Sequence, residues 1–474
     1  MAEENIEARF ERYCEVMVKA VGHADRGQPG RRYLKGLVLP GGRKSVEPMA
    51  ARVYPQDVVS AHQSMHHLVA DSQWSDAALL EAVAGKVLGQ LTKENESALW
   101  IVDDTGIPKK GEHSVGVGYQ YCGQLGKTAN CQVAVSLSFC TERGSLPLAY
   151  RLYLPQQWAE DGARRKRAGV PSTIRFATKG EIAMGEIEAA MAAGRPRGVV
   201  LADAAYGDEA GWRQRLTELG LIYAVGVRPA TAVWWGKHQP VTLPSTAGRG
   251  RPRTRLRRDH AHQPLSVLEL AKTLPPKSFH KVTWRQGVAG KLGSRFARVR
   301  VRAAHRDKAR DEEWLLIEWP KNEPAPTRYW LSTLSAELSL KRLVATVKGR
   351  WMIERDYLEL KQEVGLGHFE GRGWRGFHHH ASLAIAAYGF LMLERLTSKG
   401  KKKLRSIQRT FPTQRLPPAW GSNPCSVTSR GPSPPHAFDS PTPSPAHCLN
   451  APTADTAVIM KSIFINTVVL KRAP

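Results

Sequence analysis

Cysteine is scarce in this chain, with six among 474 residues. A disulfide framework is therefore excluded as its source of stability, and a reducing, cytoplasmic setting is expected. Cys122, Cys131 and Cys140 recur at a spacing of nine, but no Cys-x-x-Cys pair accompanies them. They read as core or loop thiols, with zinc the minority alternative. Long apolar runs are lacking as well. The longest, 381–393, is already interrupted by Ser382 and falls short of the about 20 residues that cross a bilayer. It is expected to be a core helix, with no membrane partner. The opening Met1-Ala2-Glu3-Glu4-Asn5 is acidic and has no apolar stretch, unlike a secretory signal. Acidic residues are in short supply too, 43 against 69 Lys and Arg, for a net charge of +26. That surplus concerns partners rather than fold and points to a polyanion such as nucleic acid.

What is present is ordinary for a folded protein: 42% hydrophobic and 24% charged residues exclude wholesale disorder. The length exceeds one ordinary domain. Residues 1–92 read as helical, with Glu7–Val21 amphipathic and Ser75 placed to cap a helix. The basic, glycine-rich stretch Gly36–Ser45 between them reads as a solvated turn. From Ala98 the pattern changes. Ala98–Val102, Cys131–Cys140 and Leu146–Leu154 read as strands. Thr178 and Glu181 have capping-box spacing and open a helix through Ala193. Gly198–Ala202 reads as a buried strand, Asp208–Leu219 as a helix and Ile222–Val227 as a strand. This order predicts an α/β fold with a mixed sheet over 93–228.

Residues 229–335 form a separate, basic segment in this reading. Within 249–310 there are 18 basic residues against three acidic, a surplus of +15. Arg249, Arg251, Arg253 and Arg255 lead it, and backbone contacts to a nucleic acid are expected there. Further on, Phe296, Val299 and Val301 alternate with Arg298, Arg300 and Arg302, which predicts β-ribbons with a basic face. Helical pattern returns over 336–398, as Leu340–Gly365 and then Ala381–Leu396. The 399–474 tail, with 10 prolines in 412–445, is expected to be disordered. Ala457–Leu470 is β-prone.

Three carboxylates stand where scaffold elements end or present a face. Asp104 and Asp203 each close a short apolar strand, which aims them into one crevice beyond the sheet edge. Asp103, by strand alternation, is expected to turn to the opposite side. Glu354 is placed mid-helix; at ~100° per residue, Arg350 lies ~40° from Glu354 and ~20° from Lys361. One helix face thus presents cation, carboxylate and cation. Carboxylates that hold divalent metal amid basic contacts are what phosphodiester chemistry requires. Gly126-Lys127-Thr128 resembles the end of a phosphate loop, but Tyr121 occupies the first glycine position, so no NTPase is indicated. His378, His379 and His380 read as helix-capping or DNA-contacting rather than metal-binding.

Four segments carry a family resemblance: VDDTGIPKKGEHSVGVGYQYCGQLGKTANCQVAV at 102–135, RRKRAGVP at 164–171, VLADAAYGD at 200–208 and RWMIERDYLELKQEVGLGHFEGRGWRGFHHH at 350–380. The chain resembles the DDE transposases of bacterial insertion sequences, in the DDE endonuclease superfamily with a ribonuclease-H-like core. The resemblance covers roughly 30–396, and its most specific part is the Arg-x3-Glu-x6-Lys spacing of the YREK signature. It implies a ribonuclease-H-like mixed sheet with helices on both faces, a β-rich basic insertion and an N-terminal helical region that binds DNA. It further implies that Asp104, Asp203 and Glu354 hold two Mg²⁺ ions, with Mn²⁺ able to substitute. Arg350 and Lys361 would contact DNA phosphates. The partners implied are double-stranded DNA, as terminal inverted repeats and target, and a second copy of the chain as a homodimer on paired ends. The signature tyrosine is replaced by Val347, and Tyr357 is a candidate substitute. An inactive DNA-binding remnant and a nuclease without strand transfer are the alternatives.

Overall fold

The computed structural model describes residues 5–40, 42–93, 97–237, 239–241, 262–287, 290–304 and 310–399. The arginines at 249–258, Cys425, Cys448, the β-prone 457–470 stretch and all of the predicted tail beyond Lys399 lie outside the described residues.

Helices come first, as the pattern predicts: α1 (Ile6–Val21), α2 (Gly27–Val38), α3 (Val46–Val53), α4 (Val58–Ala70) and α5 (Asp76–Leu91). Asn5 caps α1 by accepting from the Ala8 N–H at 2.8 Å, and Ser75 caps α5 through Ala78 at 3.1 Å. Each such cap is worth about 1 kcal/mol. Phe10, Tyr13, Cys14, Met17 and Val21 form the buried stripe of α1 at helical spacing. The solvated turn expected at 36–45 is not found. Instead α2 runs on to Val38, and Lys44 is buried with its ammonium donating to the carbonyls of Leu37 (2.8 Å) and Leu39. Carbonyls orphaned at a helix end need donors, and this lysine supplies them.

The central region follows as β1 (Leu99–Pro108), β2 (Gly118–Cys122), β3 (Lys127–Thr141), β4 (Gly144–Leu152), α6 (Gln156–Glu160), α7 (Gly162–Arg167), α8 (Lys179–Ala192), β5 (Val199–Ala202), α9 (Ala204–Gly207), α10 (Ala210–Glu218) and β6 (Tyr223–Val227). The Thr178–Glu181 capping box forms as predicted. Then come β7 (Ala232–Trp234), β8 (Leu265–Ser266), α11 (Val267–Thr273), β9 (His280–Gly287), β10 (Gly290–Ala303), β11 (Glu312–Trp319), β12 (Arg328–Ser332), α12 (Leu340–Lys348), α13 (Trp351–Gln362) and α14 (Trp374–Lys399). Among the described residues the twelve strands make one mixed sheet, ordered β2-β3-β1-β5-β6-β12-β11-β10-β7-β8, with β4 on β3 and β9 on β10. The α/β architecture is the predicted one and is that of a ribonuclease-H-like fold. β1, β5 and β6 are parallel at its centre. Because β6 pairs with β12, the basic segment extends the same sheet.

Within β10 the alternation is only partly as expected. Ala297 and Val301 are buried, but Phe296 shares the parity of the arginines and is buried among them, edge-on to Trp284. The arginine side is also less free than predicted. Arg298 lies 4.3 Å from the Trp314 ring centroid and donates to the Leu338 carbonyl; Arg300 lies 4.9 Å from the same ring. Guanidinium planes on indole faces satisfy both partners.

The apolar run at 381–393 is indeed a core helix. α14 packs against α5, α2 and β4, so the N-terminal helices and the sheet share one apolar core. No described helix is long and apolar enough to cross a membrane. This enclosure corrects the reading of the histidines. His378 accepts from the Leu152 N–H at 3.3 Å, His379 stacks on Trp74 at 3.7 Å, and His380 meets the Tyr33 hydroxyl at 2.8 Å. Successive helical side chains diverge, but all three directions lead into protein.

Candidate active site

β1 and β5 align at Leu99–Ile101 with Val199–Leu201, so both strands leave the central sheet at one edge. β1 continues to Pro108 on β3 alone, carrying Asp103 and Asp104 past the end of β5. Beyond Ala202, Asp203 caps α9 by accepting from the Ala205 N–H at 2.9 Å. α9 lies hard against β6: a Cβ on Gly226 would stand 2.9 Å from the Ala204 nitrogen.

The predicted helix Leu340–Gly365 is broken. A Cβ on Gly349 would fall 2.7 Å from Leu99 Cδ1, and there α12 gives way to α13 with Arg350 as its N-cap. From that end Arg350 Nη1 reaches Asp103 Oδ2 at 2.8 Å, and Nη2 lies 3.9 Å from Asp203 Oδ2. Burial works against the arginine's charge, yet Asp103, Asp203 and Glu354 outweigh it and raise its pKa. Glu354 stands exposed one turn along. Burial pushes the Asp103 carboxyl up to about 6; Arg350 opposes this, while Asp203 and Asp104 add to it.

Asp103 was expected to turn away from the crevice. It does not: Asp103 meets Arg350, while Asp104 pairs with Lys179 of α8 at 2.5 Å. Alternation does part the two neighbours, but it cannot say which of them meets α13. Ser136, opposite Asp103 in the register, takes the Tyr357 hydroxyl and fixes α13 over that residue. Tyr357 is thereby buried and engaged rather than available to a phosphate. Val347 is buried in α12. Lys361 Nζ donates to the Gly106 carbonyl at 2.9 Å and to Gln124 at 3.1 Å, so it lies on the β1 side with Arg350. Arg249, Arg251, Arg253 and Arg255 lie outside the described residues. Sequence reasoning passed over Lys179.

Cys122, Cys131 and Cys140 are buried free thiols. Among the described residues no three His, Cys, Asp or Glu side chains are spaced to enclose a metal ion. The positive charge among Asp103, Asp203 and Glu354 is that of Arg350.

Residues 16–291 match the family model described as DDE superfamily endonuclease. That span includes Asp103, Asp104 and Asp203 and stops short of α13. A protein of Microchaete diplosiphon described as "Probable transposase for insertion sequence element IS701" is 33% identical over 169 residues, 35% of this chain. The chain spans 40% of the length of that relative.

Proposed function

This chain belongs to the DDE superfamily endonucleases, and from that premise we propose that it is the transposase of an insertion sequence. It acts in the cytoplasm on double-stranded DNA, cutting at terminal inverted repeats and joining the freed ends to a target, as a homodimer on paired ends. The observation that carries this reading is Arg350 reaching Asp103 and Asp203 from a helix whose next turn presents Glu354. Asp103 takes the place first given to Asp104 in the catalytic triad.

Three carboxylates are hard oxygen donors, and they suit Mg²⁺, with Mn²⁺ as a substitute. A divalent cation at Asp103, Asp203 and Glu354 supplies Lewis-acid stabilisation to the attacking and leaving oxygens. The chain's own residues do the rest. Arg350, released from its aspartates, offers a two-pronged donor to phosphate oxygens, and Lys361 adds a second charge on the same side. Water breaks a P–O3′ bond to leave a 3′-hydroxyl and a 5′-phosphate. That 3′-hydroxyl then displaces a 3′ oxygen in the target, exchanging one phosphodiester for another without ATP.

The test is the full chain with Mg²⁺ and a plasmid carrying its own gene and flanks. Cuts at the repeats followed by joined products support the proposal. Binding without cuts leaves an inactive remnant, and cuts without joining leave a nuclease.

A further inference from the structure

Tyr119 is 80% and Tyr121 62% exposed, on alternate residues of β2, and Leu125 in the β2–β3 turn is 45% exposed. Gln120 and Cys122 take the other side of the strand, so both rings share its open face. Among the described residues β2 is an edge of the sheet and pairs with β3 alone. Opposite the tyrosines stand Thr128 and Asn130, small polar residues that leave the rings bare. Grouped apolar surface left in water marks a place where something binds.

The register puts these rings on the face that carries the candidate site. Asp103 pairs with Ser136 of β3, and Asn130 and Thr128 lie at even separations from Ser136, with no bulge in either pairing. Asp103, Ser136, Tyr119 and Tyr121 therefore project from one side of the sheet. Gly106 and Cys122 take the other side, where a Cβ on Gly106 would fall 2.7 Å from Cys122 Sγ. α13 covers the first side, held by Tyr357 on Ser136. At its far end Lys361 donates to Gln124 of the β2–β3 turn at 3.1 Å. Leu358, 51% exposed, lies on the same stripe of α13 as Glu354 and Lys361. A continuous surface thus runs from Asp103 along α13 to the rings. The stretch of β3 from Ser136 to Asn130 spans about 20 Å, the length of about six stacked nucleotides at ~3.4 Å each.

A second copy of this chain would bring a like charge of +26 to Lys361, whereas DNA brings the opposite sign. Base faces in a closed duplex are hidden in its stack, but unpaired bases offer theirs to aromatic rings. We infer that Tyr119 and Tyr121 stack on unpaired bases of a DNA strand led past Asp103. This rests on the function proposed above, which supplies the DNA. In the full chain with a metal chelator, fluorescence anisotropy compares a blunt duplex with the same duplex ending in a short unpaired thymidine tail. The parent should bind the tailed duplex more tightly. Tyr119→Ala with Tyr121→Ala should weaken binding to the tailed duplex about 10- to 100-fold and to the blunt one less than about twofold, with the melting temperature unchanged. Tyr119→Phe with Tyr121→Phe keeps both rings and should keep the preference. A parent indifferent to the tail, an equal loss on both duplexes, or no loss would overturn the inference and leave the transposase reading standing. A loss in the Phe pair equal to that in the Ala pair would mean hydroxyl contacts to phosphate and overturn it too. So would loss of self-association with DNA binding intact, which makes this face a contact between copies. A parent that prefers the tail yet never cuts its plasmid would support the stacking surface and defeat the transposase reading.

Discussion

Arg350 donates to Asp103 across 2.8 Å and leaves Asp104 to Lys179. The two adjacent carboxylates therefore have different tasks. Asp103 shares its counter-charge with Asp203, whereas Asp104 ties the middle of β1 to the first turn of α8. Asp103→Asn should lower plasmid cleavage about 100-fold or more, as loss of a fixed group at a reacting centre does. Asp104→Asn should cost less than about tenfold, since its partner is a half-buried, solvent-screened Lys179 rather than Arg350, a pair worth about 1 kcal/mol. A reversed order of the two variants would return Asp104 to the triad.

Behind α13, the buried Asp356 accepts from the Tyr388 hydroxyl at 2.9 Å. Burial raises its carboxyl to about 6, opposed by bonds from Ser145 and Tyr388 and helped by Glu359. A folded-state value above the unfolded one of ~3.9 means the native state holds its proton longer. Stability from this group is full below pH ~4 and is lost as pH rises through about 6. Between those limits the loss should be about 2–3 kcal/mol. Asp356→Asn keeps an acceptor for Tyr388 and should flatten this part of the profile. Urea unfolding from pH 4 to 7 measures it, and parallel slopes for both proteins would reject the assignment.

Much of the fold was legible because it is written in local chemistry. Thr178 with Glu181, Ser75, and the apolar runs at 131–140 and 199–202 each mark an element without help from elsewhere. The site was legible in part. Asp203 and Glu354 could be singled out, but choosing between Asp103 and Asp104 needs the helix that lies over β1, placed by the distant contact of Tyr357 with Ser136. Val347 could not be judged from a signature spacing either, since it belongs with Leu343 and Val344 to the buried stripe of α12. Lys44 and the three histidines looked polar and exposed for the same reason: what covers them is remote in sequence.

Lys348 sits where α12 meets the sheet, 2.6 Å from Glu318, with side chains 11% and 6% exposed. The rings of Trp284, Trp330 and Phe296 surround the ammonium at 4.7, 5.1 and 5.6 Å. Burial pulls its pKa down, and Glu318 holds it up. Lys348→Met leaves a buried carboxylate alone and should cost about 3–5 kcal/mol in urea unfolding. Adding Glu318→Gln should restore most of that loss. If Lys348→Met costs under ~1 kcal/mol, the pair behaves as a solvent-screened one.

Of the +15 surplus over 249–310, the β10 arginines are already engaged within the protein, whereas 249–261 lies outside the described residues. In β10, Arg298 and Arg300 lie over Trp314, and Arg298 also holds the Leu338 carbonyl, so a phosphate would have to compete for them. Arg249, Arg251, Arg253 and Arg255 carry four charges within seven positions. Changing these four to Gln should weaken binding to any duplex and lower the slope of log K against log salt by about 3.6, at about 0.9 per lost phosphate contact. Arg298→Gln with Arg300→Gln should leave that slope nearly unchanged and instead lower stability by about 1–2 kcal/mol for the half-buried cation–π contacts. Titrating a duplex of unrelated sequence at several salt concentrations separates the two. An equal fall of slope in both variants would mean that the β10 arginines leave Trp314 for DNA. No change in either would make the 249–255 run a solvated segment and move the electrostatic footprint elsewhere.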